Sequence, residues 1–271
     1  MPELPEVETT RRGVEPHVIG CRVARVVVRN PRLRWRVPSK LIGELPGQTI
    51  QSVERRGKYL LFTTLAGTMI VHLGMSGRLR VVPCEQAADI YEHVDIVLEN
   101  GDCLRLRDPR RFGAVLWTRE DPQQHKLLRH LGPEPLSADF TGDYLFRKSR
   151  SRRRAIRDFL LDSHIIAGIG NIYANEALFT AGLRPTRAAG RINRIRYERL
   201  AEAIRETLGR ALKAGGTTLR DFRNGQGEPG YFQLSLNVYG RAGEPCRSCG
   251  TTIKARKQGQ RTAYFCQNCQ V

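Results

Sequence analysis

Two groups of residues in this chain have types and spacings that could do chemistry. The first is the opening stretch, MPELPEVETTRRG. With Met1 removed, Pro2 becomes a secondary amine at the chain end. An α-amino group has a pKa of roughly 7.7–8.0, so part of it is unprotonated near neutral pH, whereas a lysine at roughly 10.4 needs a larger shift. Such an amine can attack an electrophilic carbon and form an iminium. That iminium is cationic because its nitrogen has no second proton to lose, and it serves as an electron sink. Three glutamates, Glu3, Glu6 and Glu8, fall within the first eight residues, where proton transfer and cation stabilisation would be needed. An acidic first helical turn matched to the macrodipole also accounts for Glu3 and Glu6, but not for Pro2. The second group lies at the other end. Cys246 and Cys249 are separated by two residues, sixteen residues follow, and Cys266 and Cys269 are again separated by two. Each close pair can chelate from a tight turn, and the intervening residues suit a hairpin. Four thiolates make a closed tetrahedral zinc site with no position left for catalysis. Disulfides are the alternative, disfavoured in a reducing compartment.

The rest of the chain must position these groups. It has 271 residues and is 40% hydrophobic, enough to build cores. Against 27 Asp and Glu stand 45 Lys and Arg, a formal charge of +18. That excess points to a polyanion, most commonly nucleic acid. An anionic membrane is the rival, but no basic amphipathic helix with a bulky apolar face supports it. No apolar run approaches the ~18 residues of a span, and no signal-peptide pattern opens the chain. The expected location is therefore cytoplasmic. Cys21, Cys84 and Cys103 are scattered singly and are expected to be buried thiols.

From about residue 20 to 120 short alternating or β-branched runs recur between Gly, Asn and Asp, which predicts strands in a sandwich or barrel. The opening segment reads as a helix, with Leu4, Val7 and Arg11 at helical spacing. Residues 131–143 are rich in Pro, Gly and Asp and read as a linker. Beyond them the period changes. Leu200, Ala203, Ile204, Leu208, Ala211 and Leu212 share one helical face that stops at a glycine pair, and NEALFTAGLRP reads as a helix closed by Gly182. The run 147–157, which includes Arg153, holds seven basic residues in eleven. It is either a solvated face or a phosphate-backbone contact. Gly168 and Gly170 then flank a turn, and Asn171 opens a helix whose N-terminal N–H groups could bind phosphate. The expected division is a β-rich domain at 1–135, a helical domain at 136–236 and a four-cysteine finger at 237–271. Lys254, Arg256, Lys257 and Arg261 lie between the cysteine pairs, so the finger is itself basic.

The segments PELPEVETTRRG, RRGKYLLF, HLGMSGRLR, DPRRFGA, LGPEPL, AGIGNIYANEALF, GGTTLRDF, GYFQLSLNVYGR and the cysteine unit occur in this order. Through them the chain resembles the bacterial formamidopyrimidine-DNA glycosylase family, base-excision enzymes that remove 8-oxoguanine and ring-opened purines from duplex DNA. The resemblance implies an α+β fold: an N-terminal β-sandwich with an N-terminal helix, then a helical domain with a helix–two-turns–helix motif and a zinc-finger β-hairpin. It implies a bifunctional glycosylase and abasic-site lyase that works through a Schiff base on the N-terminal proline, followed by β- and δ-elimination. Pro2 matches the family's nucleophile, Glu3 its catalytic acid and Lys58 an active-site lysine. Met75, Arg110 and Phe112 match the residues that fill the gap left by the flipped nucleotide. Asn171 and Arg261 match phosphate-binding residues, Arg261 also serving the last elimination, and Arg153 belongs to the basic run expected on DNA. The Gly-rich stretch 215–232 corresponds to a cap over the flipped base. One structural Zn2+ per chain, damaged double-stranded DNA as partner, no membrane contact and a monomeric state are the corresponding expectations. Two positions depart from the family pattern. Arg157 replaces a lysine, exchanging a point donor for a planar fork. Tyr91 stands where a DNA-contacting histidine is common. The alternatives are an oxidised-pyrimidine glycosylase of the endonuclease VIII group, which usually differs within PELPEVE, and a non-catalytic, zinc-dependent DNA-binding protein, against which Pro2 and Glu3 argue.

Overall fold

A computed structural model describes residues 1–216 and 236–271. They form two compact units. One comprises Met1–Arg129, to which the chain returns at Ala214–Gly216; the other comprises His130–Lys213 and residues 236–271. The stretch expected to act as a cap lies, from residue 217 on, outside the described residues.

The first unit opens with helix α1 (Leu4–Val18). Pro5 sits in the first turn, where a missing N–H costs nothing, and the Glu6 carboxylate accepts the Glu3 N–H at 2.8 Å. Leu4, Val7, Val14 and Val18 form the buried stripe. After it come β1 (Val23–Val28), the short α2 (Ser39–Glu44), β2 (Ser52–Arg56), β3 (Tyr59–Thr63), β4 (Thr68–His72), β5 (Arg78–Pro83), β6 (Glu92–Leu98), β7 (Asp102–Arg107) and β8 (Ala114–Thr118). They pair antiparallel in two four-stranded sheets, ordered β1-β6-β7-β5 and β2-β3-β4-β8. One core joins them: Val26, Ile96, Leu104 and Leu106 from the first sheet meet Leu60, Phe62, Met69 and Val115 from the second, with Val7, Val14 and Val18 of α1. That is the expected sandwich with its N-terminal helix.

Strand β6 is buried along its whole length, on both faces. Its polar residues are therefore paired. Asp95 lies opposite Arg105 across the ladder, and the guanidinium grips the carboxylate twice, at 2.9 Å each; Arg29 adds a third contact at 2.6 Å. Burial alone would raise the Asp95 carboxyl, yet the Arg29 and Arg105 guanidiniums hold it below its ordinary value. On the same face, two positions along the ladder, Cys103 is buried with Val82 and Val97, and burial pushes its thiol up to about 11, so it is inert. Cys21 and Cys84 differ from the expectation. Both are half-buried, Cys84 against the margin of that same small cluster and Cys21 at the end of α1, where only one side is covered.

The second unit holds α3 (Gly142–Ser149), α4 (Ile156–Leu160), α5 (Asn171–Thr180), α6 (Arg194–Lys213) and the hairpin β9 (Lys254–Gln258)–β10 (Arg261–Phe265). Helix α6 buries Leu200, Ala203, Ile204, Leu208 and Ala211 as its spacing predicts, while Leu212 is only half-buried. Gly215 and Gly216, both at positive φ, follow its end. Among the described residues no helix is long and apolar enough to cross a membrane.

Candidate active site and nucleic-acid interface

At the head of α1, Pro2, Glu3 and Glu6 are all buried. The hydrogen bond from Glu3 N–H to Glu6 fixes the backbone next to the proline nitrogen. While Met1 is attached, that nitrogen is an amide; removing Met1 converts it to the secondary amine. Glu8, the third glutamate, has a different task. Its carboxylate accepts from Arg11, Arg12 and Arg55. Arg55 in turn donates to the Gly57 carbonyl at 3.0 Å. This chain ties α1 to the β2–β3 turn, where Gly57 has φ +59 and Lys58 follows it. The lysine is thereby held on a short turn braced against the helix that Glu3 caps. Burial pulls Glu8 up, but hydrogen bonds from Arg11 and Arg12 leave it below its usual value, so the brace is charged at neutral pH.

Next to Lys58, Tyr59 pairs with His72 across the ladder, with ring centroids 4.8 Å apart. The His72 Nδ1 accepts the Gly74 N–H at 3.0 Å. Burial, with the positive charges of Lys58 and Arg34, lowers His72 to about 4. Sequence reasoning missed both His72 and Arg34. Arg34 sits in NPRLRWRVP, an exposed basic loop in which its guanidinium lies 4.7 Å from the Trp35 ring and its N–H reaches the Gly113 carbonyl at 3.0 Å. The signal available in the sequence was a run of arginines interleaved with a tryptophan.

A testable consequence concerns pH. His72 is neutral in the fold until about pH 4, whereas the unfolded chain takes up the proton near its ordinary 6.5. The unfolded state thus binds more protons between these values, and stability is lost as pH falls through that window. With the ring half-buried, about 1–3 kcal/mol is the expected size. Both tryptophans, Trp35 and Trp117, lie in the first unit. Urea unfolding followed by their fluorescence at pH 7 and 4.5 should show a smaller acid loss in His72→Gln. Equal pH dependence in the two proteins would mean that His72 titrates freely.

Met75, Arg110 and Phe112 come together on one edge of this unit. Met75 is 38% and Phe112 45% exposed, and the Arg110 guanidinium lies 5.0 Å from the Phe112 ring. Between them Arg111 adopts φ +55, a conformation that costs a non-glycine residue energy and recurs at functional loops. Tyr91 is half-exposed with Arg107 at 5.0 Å over its ring, and Arg107 is paired to Asp89 at 2.7 Å.

In the second unit, Gly170 caps α5 and Asn171 is its first residue. The Asn171 Nδ2 donates to the Thr262 carbonyl at 3.0 Å, and Asn175 accepts the Tyr264 N–H at 2.8 Å. These bonds stitch β10 to the helix and bring Asn171 beside Arg261, which is exposed. Arg153 is exposed as well. Arg157 is not: its side chain is 1% exposed, paired to Asp158 and donating to the Gln258 carbonyl at 2.8 Å. The planar fork of Arg157 thus holds the tip of the finger hairpin from behind.

The sulfurs of Cys246, Cys249, Cys266 and Cys269 lie within 4.8 Å of one another. Tetrahedral zinc with Zn–S near 2.3 Å needs S···S of about 3.8 Å. The Cys246–Cys269 and Cys249–Cys266 separations are 3.9 and 3.5 Å, so the residues fit the ion. Bound there, zinc cross-links the two ends of the hairpin. The cluster packs with Val238 and Ile253 against Phe179 of α5, which fixes the finger to the helix that carries Asn171.

Comparison with known proteins covers the whole chain. Residues 1–115 match the formamidopyrimidine-DNA glycosylase N-terminal domain, residues 131–223 the H2TH domain of the same enzymes, and residues 243–271 a zinc finger found in FPG and IleRS. The formamidopyrimidine-DNA glycosylase of Stutzerimonas stutzeri is 57% identical over 270 residues, and that of Syntrophotalea carbinolica 56% over 270 residues, each match covering 100% of both chains. Among solved structures, the MutM (Fpg) protein of Thermus thermophilus is 40% identical with a TM-score of 0.90, covering 99% of this chain and 98% of that one. A Lactococcus lactis Fpg variant in complex with Fapy-dG-containing DNA is 33% identical with a TM-score of 0.92 over 99% of each chain. A sandwich headed by Pro2 and Glu3, a helical unit and a four-cysteine finger, matched end to end at such identity, place this chain in the formamidopyrimidine-DNA glycosylase family.

Proposed function

We infer that the chain is a DNA glycosylase that excises oxidised purines from duplex DNA and then acts as an abasic-site lyase. The observation that carries this is the full-length match to formamidopyrimidine-DNA glycosylases, together with a Lactococcus lactis relative bound to Fapy-dG-containing DNA. Residues 1–135 supply the chemistry, 136–236 and the finger at 237–271 the grip on DNA. The enzyme works as a monomer in the cytoplasm, where its +18 charge keeps it on the nucleoid.

The chemistry follows from the residues. A stacked base hides its sugar, so the nucleotide is flipped out. Met75 and Phe112 enter the gap, and Arg110 hydrogen-bonds the orphaned partner base. Asn171, Arg261, Arg153 and Tyr91 hold the backbone. The Pro2 nitrogen lone pair bonds to C1′ as the bond to the base breaks, and the base leaves with that electron pair and takes up a proton. Glu3 protonates the ring oxygen as the sugar opens, which leaves the cationic iminium. Lys58 contributes positive charge beside it. Loss of the C2′ proton feeds electrons toward the iminium and expels the 3′ phosphate; a second elimination, assisted by Arg261, expels the 5′ phosphate.

A second reading has one observation behind it: a Lactococcus lactis Fpg has also been captured with an oxidised-pyrimidine-containing DNA. Duplexes carrying 8-oxoguanine opposite C and thymine glycol opposite A separate the two. The former should be cut with kcat/KM at least about tenfold higher. The reverse order would move the enzyme to the pyrimidine group, and cutting of neither would leave a DNA-binding protein without activity.

A further inference from the structure

We propose that Asp108 is a positioning residue that locks Met75, Arg110 and Phe112 into a single preformed wedge. The proposal rests on the gap-filling role given to those three side chains. Met75 and Phe112 are on different loops, 37 positions apart in the chain, and each is exposed enough to move. A wedge that must enter a base stack works only if its parts hold their spacing under load. Something buried has to set it.

Asp108 is fully buried and is bonded on every side. One carboxylate oxygen accepts the Ser76 hydroxyl at 2.7 Å, next to Met75. The other accepts the Gly113 N–H at 2.7 Å, next to Phe112. Ser76 Oγ in turn accepts the Arg110 N–H at 3.2 Å. Two short bonds to one ionisable carboxylate thus span both loops and, through the serine, the third residue. The backbone of Asp108 extends the lock: its N–H reaches the Tyr91 carbonyl at 2.9 Å, and its carbonyl accepts from Arg111 at 3.1 Å and contacts His93 Nε2 at 2.9 Å.

Glycines let the loops close on this residue. Gly74, at φ +63, passes so near the other loop that a Cβ would lie 2.4 Å from the Phe112 carbonyl carbon and the Gly113 nitrogen. A Cβ on Gly113 would lie 2.9 Å from an Asp108 carboxylate oxygen. The Met75 turn and the Phe112 loop are therefore in backbone contact, with Asp108 beneath. The cost of ordering them is met when the protein folds and not again when a base is displaced.

The test compares two duplexes with full-length, zinc-loaded enzyme: one with 8-oxoguanine opposite C, one with a preformed abasic site that needs less flipping work. Asp108→Asn keeps the shape but gives up the charge and one acceptor. Single-turnover base excision should fall about 10- to 100-fold, as expected when reacting groups are misplaced, while cleavage at the abasic site changes less than about threefold. Combined with Met75→Ala, the losses should not add, because both changes act on one wedge. Should Asp108→Asn fold poorly by thermal melting, Ser76→Ala cuts only the serine bridge and should show the same bias between substrates. Full excision activity in a folded variant overturns the proposal, as do losses that add fully to that of Met75→Ala or that are equal on the two duplexes. If Met75→Ala alone loses equally on both duplexes, the gap-filling reading itself fails, whatever Asp108 does.

Discussion

Borohydride added during turnover on an 8-oxoguanine duplex should freeze this enzyme onto its DNA, with the bond at residue 2. Reduction turns the iminium into a stable amine, so peptide mapping of the trapped species reads the nucleophile directly. The expected effect of blocking it is large. A form that retains Met1 presents Pro2 as an amide, whose lone pair is delocalised into the carbonyl, and base release and trapping should both fall by at least about 10³-fold. DNA binding should survive, since the basic surface is untouched. Glu3→Gln places a neutral amide where a proton donor is needed and should slow base release by about 10²-fold, yet still process a preformed abasic site. The intact mass of the purified protein states which terminus is present. Trapping at Lys58 would reassign the nucleophile and keep the lyase class. Strand cutting with no trapped species would mean that water displaces the base.

The sequence makes the sandwich legible because each of its eight strands is a short alternating or β-branched run closed by turn residues, and local periodicity is enough to find such runs. Helix α6 is legible for the same reason, since its apolar face, from Leu200 to Leu212, repeats over more than three turns. The four cysteines needed no fold at all: their spacing is the site, and the sulfur positions agree with it. What local pattern cannot show is which charges become partners. In EHVDIVL the alternation suggests one wet face, but β6 is covered on both faces, and Asp95 meets Arg105 only once the β6–β7 register is set. Arg157 is another case. Within a run of seven basic residues it reads as surface, yet it is buried, with Nε and Nη2 held by the adjacent Asp158 and by a carbonyl 101 positions away and Nη1 left without a hydrogen-bond partner. Asp108 looks like an ordinary turn aspartate in DPRRFG. Its importance comes from Ser76, 32 positions earlier, which no window would include.

The chemistry was legible to a different degree. The expectation placed on Pro2 and Glu3 carries its own argument from pKa and valence. His72 and Arg34 carry none until β3 and β4 pair and place the imidazole between Tyr59 and the charges of Lys58 and Arg34. Glu8 shows the same limit in reverse. It belongs to the acidic cluster that first suggested catalysis, yet three arginines use its carboxylate to brace the Lys58 turn.

Removal of zinc should unfold the finger and cost most of the affinity for DNA, damaged or not. A structural four-thiolate site contributes folding energy of about 10–16 kcal/mol in small zinc modules, more than a short hairpin has to lose. Here the hairpin is two five-residue strands whose outer residues Lys254, Arg256, Lys257 and Arg261 are exposed; without the metal its bonds to Asn171, Asn175, Arg157 and Asp158 would remain, but the cysteine pairs at its two ends would no longer be tied to each other. Cys249→Ser should therefore lose metal, measured by elemental analysis, and DNA affinity together, by at least about 10²-fold at moderate salt. The salt dependence separates loss of charge contacts from general damage. Each phosphate contact contributes about 0.9 to the slope of log affinity against log salt, so losing a finger that makes two or three contacts should flatten it by roughly 2–3. Arg261→Ala, with zinc retained, should flatten it by about 1 and weaken binding to undamaged duplex as well. Trp35 and Trp117 fluorescence should stay native in both variants, because both rings belong to the first unit. Undiminished affinity and an unchanged slope in a zinc-free protein would show that the finger is not part of the DNA grip.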